Sequence, residues 1–327
     1  MQGVAAGKKT NGLRPADSLA VQYSRQLISR LKEKYADKFK PVDFVDVNNI
    51  RLNVVSESKP IKKVAVSLPT YLDWNPDTPI NSLEAKNSDN RPDRFVAVVQ
   101  HEKLIERLLE YGSEVFLINP SIEHLEGVYT RDIAVVIGKK CIMCNFVHNI
   151  RKPEESTIKG GEKPPSEVKI EGGNVIVDHD FVFLGVGDRT NENAVEWLQF
   201  VLGTSKQVIK LELKPGILHL DCSFLPITSS NGLSRAFINK NDFVSKQDIL
   251  LLSKIYEKLE QIDTKESPML GINSPCIAQD MRIVSAHAKN TIQAIQKWGI
   301  GVLPIDLSEI IKAEGGPRCS TLPLVQE

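Results

Sequence analysis

Short apolar runs alternate with amphipathic segments along most of the chain. The first set comprises the β-rich run KKVAVSLP at residues 62–69, a helical pattern over residues 94–112 and a second β-rich run at residues 113–120. Alternation at period two indicates strands, whereas apolar residues at i, i+3, i+4 and i+7 indicate amphipathic helices. Strands that alternate with helices in this way predict an α/β fold.

The same order of elements recurs towards the C-terminus, at a spacing of about 50 residues, which is typical of repeat architectures. Five ββαβ units can be traced from residue 61, and the second is the weakest because its helical segment is short. Such units would close into a ring with their first strands around a common axis. The later elements are predicted at hairpins 131–146 and 172–187, helix 191–203, strand 206–213, strands 217–227 and 234–239, helix 246–262, strand 269–273, hairpin 274–286, helix 288–299 and strand 301–307.

A further helical pattern over residues 16–37 lies outside this repeat. Apolar residues recur there near helical spacing, and a polar connection separates the segment from the first unit. We therefore predict a partly helical N-terminal extension over residues 1–60 and a repeat domain over residues 61–327.

Composition limits the classes of partner. The chain has 41 Lys and Arg against 41 Asp and Glu, so its formal net charge is zero. A neutral chain has no global field to attract nucleic acid or an anionic membrane, and neither is expected as a partner. Its five cysteines are an odd number spread over a long chain, which favours free thiols in a reducing compartment such as the cytoplasm.

Polar residues stand where the first strand of a buried unit should be apolar. Asp132 precedes IAVVIG, and Glu171 precedes two glycines and VIV. His219 and Asp221 alternate in ILHLDCSF, so we expect them on one face of a strand. Cys319 lies in GGPRCSTLPL, close to the C-terminal end. Ring closure would bring these five residues together at the centre.

These residue types suit chemistry at a guanidinium group. Asp132 and Asp221 would bind the planar cation through paired, charge-assisted hydrogen bonds. Its central carbon is a poor electrophile and needs a strong nucleophile such as a Cys319 thiolate, whose pKa a bound cation would lower. His219 would protonate the departing amine and later deprotonate water. Glu171 would orient His219 or complete the guanidinium cage.

Four segments, YTRDIAVV, EGGNVIV, HLDCSF and GGPRCSTLPL in this order, resemble the motifs of the guanidino-group-modifying (pentein) superfamily. That superfamily contains arginine deiminases, dimethylarginine hydrolases, amidinotransferases and arginine dihydrolases. The resemblance covers about residues 61–327. It implies a five-bladed α/β propeller that uses no metal and no organic cofactor.

The resemblance also implies a role for each central residue. Cys319 becomes the nucleophile, His219 the general acid and base, and Glu171 the partner of His219. Asp132 and Asp221 become the carboxylates that bind the substrate guanidinium.

Two substrate-binding residues are implied by the resemblance alone. Asn81 lies in PTYLDWNPDTPINSLEAKN, which resembles the first-strand loop of the dihydrolase and amidinotransferase branches. Arg189 in GDRTNENAV matches an RT motif and is a candidate for binding a substrate carboxylate. The chain departs from the deiminase pattern at Glu126, where an Asn is usual, and at Asn174, where an Asp is usual.

The preferred interpretation is a cysteine-dependent hydrolase of a small guanidino substrate. HLD, in place of the HLK of dimethylarginine hydrolases, favours deiminases, dihydrolases or amidinotransferases. A deiminase-like reaction would convert arginine to citrulline and ammonia through a covalent Cys amidino intermediate. The alternatives are an amidinotransferase that moves the amidino group to an amine acceptor and a non-catalytic propeller that binds a ligand. A homo-oligomer is compatible with the sequence.

Overall fold

Most strands form small sheets that follow one another along the chain. The computed structural model describes residues 15–230 and 232–327. The strands in these residues are β1 (Phe39–Val42), β2 (Val45–Asp46), β3 (Asn53–Val54), β4 (Ile61–Ser67), β5 (Glu114–Ile118), β6 (Ala134–Ile137), β7 (Lys140–Met143), β8 (Ile158–Lys159), β9 (Val175–Asp178), β10 (Phe181–Val186), β11 (Gln207–Glu212), β12 (Phe224–Thr228), β13 (Ser234–Ile238), β14 (Lys258–Gln261), β15 (Cys276–Ala278), β16 (Met281–Ser285), β17 (Gly301–Ile305) and β18 (Leu322–Gln326).

The helices lie mainly between the second and third strands of the sheets. No helix in the described ranges is both long enough and apolar enough to cross a bilayer. The α-helices are α1 (Pro15–Lys34), α2 (Ser82–Lys86), α3 (Arg94–Glu110), α4 (Asn193–Leu202), α5 (Lys246–Ile255), α6 (Lys289–Lys297) and α7 (Ser308–Ile311).

Three sheets repeat the predicted ββαβ order. They contain strands β9–β11, β12–β14 and β15–β17. In each sheet the first two strands pair antiparallel and the third pairs parallel to the second. Helices α4, α5 and α6 make the crossovers between the parallel strands, because parallel neighbours cannot be joined by a tight turn.

The first unit is completed by the C-terminal end of the chain. Strand β18 pairs antiparallel with β4, with Leu322 opposite Ala65, and β4 pairs parallel with β5. The C-terminus thus supplies the strand that the first unit lacks, which closes the fold as a five-bladed α/β propeller. Cys319 lies three residues before this closing strand.

The second unit has no α-helix of its own. Strands β6 and β7 form a hairpin, and a 3₁₀ segment over Asn149–Thr157 replaces the crossover helix. Pro153 within that segment removes a backbone donor that a regular α-helix needs. The weak helical pattern predicted for this unit therefore corresponds to a real departure from the repeat.

The fourth unit corrects two predictions. The helix predicted over residues 246–262 ends at Ile255, and β14 follows it. The backbone of Tyr256 is extended and no longer helical, and the residues after it pair with β13. The strand predicted at residues 269–273 is wrong, because these residues form a turn with Leu270 in the left-handed region at φ 53°. Pairing of β14 with β13 has overridden the local helical pattern after Ile255.

The described part of residues 1–60 packs on the first sheet. Helix α1 contacts α3, β1 pairs parallel with β5, and β3 pairs parallel with β18. The domain boundary expected at residue 60 stays a prediction, and strands from before it add to the edges of the first blade.

One buried cation joins distant segments at the centre of the fold. The Arg318 guanidinium donates to both carboxylate oxygens of Glu57, at 2.6 and 2.5 Å, and to Asp221 Oδ2 at 2.6 Å. It also donates to the carbonyl oxygen of Val175 at 2.8 Å. All three charged side chains are buried. Two carboxylates and one guanidinium therefore connect the start of the first blade, the third and fourth blades, and the C-terminal segment.

We expect Arg318→Met to destabilise the protein by about 3–5 kcal/mol, because it removes the cation that hydrogen-bonds to two buried carboxylates. Chemical unfolding with urea measures the change. Arg107→Met is the matched control, since its ion pair with Glu110 lies on the exposed face of α3, and such pairs contribute about 0.5 kcal/mol or less. Equal losses in the two variants would contradict a central role for Arg318.

Candidate active site

Short 3₁₀ turns carry the polar residues of the centre. The turns are Thr130–Asp132, Gly172–Asn174 and Leu220–Cys222. Each stands directly before the first strand of its unit, namely β6, β9 and β12. The repeat therefore places one turn from each of three blades at the same end of the inner strands.

The strand predicted to contain His219 and Asp221 is wrong. His219 caps the turn and Asp221 lies within it, whereas β12 begins at Phe224. The Asn174 side chain accepts a hydrogen bond from the Leu220 backbone N–H at 2.9 Å, which occupies a donor that a strand would use in its ladder. The two side chains therefore reach the centre from a turn and not from one strand face.

His219 lies between two carboxylates. Its Nε2 is 2.9 Å from Glu171 Oε2, and its Nδ1 is 3.6 Å from Asp132 Oδ1. Neither Nδ1 nor that Asp132 oxygen has a hydrogen-bond partner among the described residues. Gly173 permits this packing, because a Cβ at that position would lie 2.5 Å from Nδ1.

The charges around His219 favour its protonated form. Burial alone would lower the pKa of His219, but Asp132 and Glu171 together raise it above its usual value. For Glu171, burial opposes ionisation, while the His219 hydrogen bond and the charge of Arg189 lower its pKa to about 2. The two carboxylates therefore favour the imidazolium form of His219, and Glu171 stands beside it as a carboxylate.

Cys319 is a buried thiol held from two sides. Its Sγ lies 3.4 Å from Asp221 Oδ2 and 3.1 Å from Asn273 Nδ2. Burial first, and then the charges of Asp221 and Asp132, raise the pKa of Cys319 well above its usual value. The thiol thus needs added positive charge to ionise near neutral pH.

These side chains meet at one small cavity. Five of the seven residues predicted from sequence line it, and the other two touch it from behind: Glu171 contacts His219, and Asp221 contacts Cys319. The cavity is lined by Asn81, Glu126, Tyr129, Asp132, Arg151, Arg189, Leu218, His219, Ala313, Glu314, Gly315 and Cys319.

Arg189 and Asn81 lie at the cavity wall with intramolecular partners. Arg189 Nη1 is 3.1 Å from Glu171 Oε2, and Nη2 donates to the Ile80 carbonyl at 2.5 Å. Asn81 caps helix α2, where its side chain accepts from Glu84 N at 2.8 Å and donates to the Glu84 carboxylate. A substrate carboxylate that bound here would thus share the Arg189 guanidinium with Glu171.

Sequence reasoning missed Arg151 as a residue of the site. This buried side chain donates from Nη1 to Asp132 Oδ2 at 2.7 Å and from Nη2 to Glu154 Oε2 at 2.7 Å. Its guanidinium lies 4.5 Å from the Phe146 ring centroid. The signal in the sequence was an Arg in a short polar stretch, NIRKPEEST, which any exposed connection would also show.

Glu126 lines the cavity and interacts with a second carboxyl group, that of Glu84. Burial, together with the nearby Glu126, raises the pKa of Glu84 to about 8. Burial also raises the pKa of Glu126 to about 7, although Arg151 opposes the shift. Glu126 Oε1 is buried with no hydrogen-bond partner in the ranges that the structure describes. The departure from the deiminase pattern at position 126 therefore lies in the cavity itself.

No profile of a known protein family matches the chain. It is 32% identical over 254 residues to the uncharacterized protein YkgA of Bacillus subtilis, which covers 76% of this chain and 86% of YkgA. It is 26% identical over 198 residues to the arginine deiminase of Staphylococcus epidermidis, and the match covers 48% of each protein. It is 24% identical over 245 residues to the N(G),N(G)-dimethylarginine dimethylaminohydrolase of Pseudomonas aeruginosa, covering 71% of this chain and 90% of that enzyme.

Solved structures agree with the propeller architecture. The N-terminal domain of ArgZ, a cyanobacterial arginine dihydrolase, matches with a TM-score of 0.70 at 20% identity over 81% of this chain and 98% of that domain. The dimethylarginine hydrolase of Pseudomonas aeruginosa matches with a TM-score of 0.65 at 18% identity over 80% of this chain and 99% of that chain. The chain therefore belongs to the guanidino-group-modifying (pentein) superfamily, whose members are α/β-propeller enzymes that act on C–N bonds.

Proposed function

We propose that Cys319 is the nucleophile of a hydrolase for a small guanidino substrate, with arginine as the first compound to test. The observation that carries the proposal is the convergence of a thiol, an imidazole and carboxylates on one buried cavity. Arginine is chosen because the deiminase and dihydrolase relatives are named for acting on it.

The cavity offers a place for a planar cation. Asp132 Oδ1 has no hydrogen-bond partner among residues 15–230 and 232–327, and it faces His219 Nδ1. A guanidinium N–H donated to this oxygen would give a hydrogen bond to a buried acceptor that otherwise has none. Asp221 Oδ2 lies beside Cys319 Sγ, so a second N–H donated to it would bring the guanidinium carbon close to the sulfur.

Substrate charge activates the nucleophile. The thiol has a raised pKa because it is buried near Asp221 and Asp132, and a cation bound to those carboxylates lowers it again. The S–H electron pair then stays on the sulfur, and the proton leaves to solvent. The thiolate therefore forms when the guanidinium is in place, which limits side reactions of the free enzyme.

The reaction proceeds in two halves with His219 in both. The thiolate attacks the guanidinium carbon, the C–N bond of one amino group breaks, and imidazolium His219 gives its proton to the departing ammonia. The carbon is left as a thiouronium cation on Cys319. Neutral His219 then takes a proton from water, the hydroxide adds, and the C–S bond breaks with its electron pair returning to sulfur. The remaining hydroxyl proton leaves to solvent, and the product carries a ureido group.

The proposed assignments extend to the remaining predicted residues. Glu171 keeps His219 charged and oriented, and Asn81 and Arg189 face the part of the substrate that carries the guanidine. We also propose residues 61–327 as the catalytic domain and a cytoplasmic location. The location is supported by the five cysteines, all free and buried.

We expect Cys319→Ala to lower turnover of arginine by at least about a thousandfold, since no other group supplies the covalent bond. Ammonia release and citrulline formation are the measured quantities. Cys276→Ala is the control, because this buried thiol contacts only the backbone carbonyls of Ser58 and Ala278 in the hydrogen bonds described.

Product analysis also separates the proposed hydrolase from an amidinotransferase. Ammonia with citrulline supports hydrolysis, whereas guanidino transfer that requires an added amine such as glycine and gives no ammonia contradicts it. Full activity of Cys319→Ala would remove the proposed nucleophile altogether.

We expect Glu171→Gln to move the alkaline limb of the kcat–pH profile to lower pH. Glu171 helps to raise the pKa of His219, so its loss lowers that pKa and leaves less imidazolium to protonate the leaving group. The profile is measured against Glu192→Gln, which removes an exposed carboxylate paired with Lys210. An alkaline limb at the wild-type position, with kcat reduced, would show that Glu171 does not control the charge of His219.

A further inference from the structure

Asn273 reaches Cys319 from a separate part of the chain. It lies in the turn between the 3₁₀ segment Thr264–Met269 and β15, and its side chain is fully buried. The turn is closed by the Asn273 N–H, which donates to the Leu270 carbonyl at 3.1 Å. None of the four sequence motifs contains Asn273, although its side chain contacts Cys319 Sγ.

The backbone fixes which way the Asn273 amide faces. Its Oδ1 accepts hydrogen bonds from two consecutive backbone N–H groups, those of Arg318 at 2.9 Å and Cys319 at 3.1 Å. An NH₂ group in that position would face two donors, so the oxygen must lie there. The NH₂ group consequently points at Cys319 Sγ, 3.1 Å away.

The close approach also explains a glycine of the C-terminal motif. A Cβ on Gly316 would lie 2.6 Å from Asn273 Oδ1. The GGPRC segment thus leaves space for the Asn273 side chain beneath the nucleophile, and any larger residue at position 316 would displace the amide.

The amide opposes the carboxylate on the same sulfur. Asp221 Oδ2 is an acceptor 3.4 Å from Sγ and stabilises the neutral thiol. An amide N–H can only donate, so its hydrogen bond to Sγ strengthens as negative charge develops on the sulfur. The two contacts act on opposite protonation states of Cys319.

We propose that Asn273 is a further catalytic residue, whose Nδ2–H binds Cys319 Sγ and stabilises it as the thiolate that attacks the substrate. The inference rests on the proposed function in taking Cys319 as the nucleophile. In the first half of the reaction the amide holds the sulfur in position, and in the second half it receives the returning thiolate. No proton passes through Asn273 in either half.

Asn273→Asp tests the donor while retaining the shape of the side chain. One carboxylate oxygen still accepts from the two backbone N–H groups, and the other replaces the donor against Sγ. We expect the rate of Cys319 alkylation by iodoacetamide, followed by mass spectrometry, to fall at least tenfold at pH 8 and its pH midpoint to rise. We also expect kcat for the guanidino substrate to fall by about a hundredfold or more.

Asn191→Asp is the matched control. The Asn191 side chain likewise accepts from a backbone N–H, that of Lys169, and donates to a carbonyl, that of Glu167, but it does not line the cavity. Its alkylation profile should equal that of the wild type. A wild-type alkylation profile in folded Asn273→Asp would overturn the proposal, because a purely structural role would leave thiol ionisation unchanged.

A second measurement decides the case if Asn273→Asp does not fold. In the intact wild-type protein with labelled asparagine side chains, we expect one NH₂ pair to shift in NMR spectra with the same pH midpoint as Cys319 alkylation. That shift should be absent in Cys319→Ala. If no pair titrates with this midpoint, the proposal is wrong.

Alkylation separates this proposal from the proposed function. It reports on Asn273 and Cys319 without any substrate turnover. Absence of guanidino turnover with a shifted alkylation profile would reject the function and keep the thiolate contact. Turnover of the guanidino substrate by the wild type, with an alkylation profile that is unshifted in Asn273→Asp, would support the function and reject the thiolate contact.

Discussion

The antiparallel pairing of the last strand, β18, with β4 is the constraint on which the site depends. It completes the first blade with residues from the far end of the chain, and it sets the segment before β18 at the centre. Cys319 and Arg318 lie in that segment. The 3₁₀ turns of the other blades end at the same place, so the sheet hydrogen bonds of β18 also determine which groups face the sulfur.

The centre holds buried ion pairs in which carboxylates outnumber cations, although the formal net charge of the whole chain is zero. The positive charge of Arg318 is shared by Glu57 and Asp221. The positive charge of Arg151 is shared by Asp132 and Glu154. Under the proposed function, a substrate cation would gain most from the remaining acceptors, such as Asp132 Oδ1. The carboxylates that would bind a guanidinium also disfavour a free thiolate, and in the proposed mechanism both the substrate charge and the Asn273 amide act against that penalty.

Much of the site was predictable because its chemistry is local in sequence. Asp132, Glu171 and His219 each interrupt an apolar run at the start of a unit, and the repeat spacing places such positions together. Arg151 and Asn273 were not predictable in this way. Each comes from a connection between elements, where polar residues are expected in any case, and only the folded contacts distinguish them from solvated loop residues.

The sequence by itself determined the α/β class, the repeat of similar units and the polar residues that meet at the centre, because these follow from periodicity and residue type. Tertiary structure decided where helix α5 ends, since pairing of β14 with β13 outweighs the helical pattern there. It also decided that His219 stands on a turn held by Asn174 and that the final strand closes the first blade. Such features depend on hydrogen bonds between residues far apart in the chain, which no local pattern records.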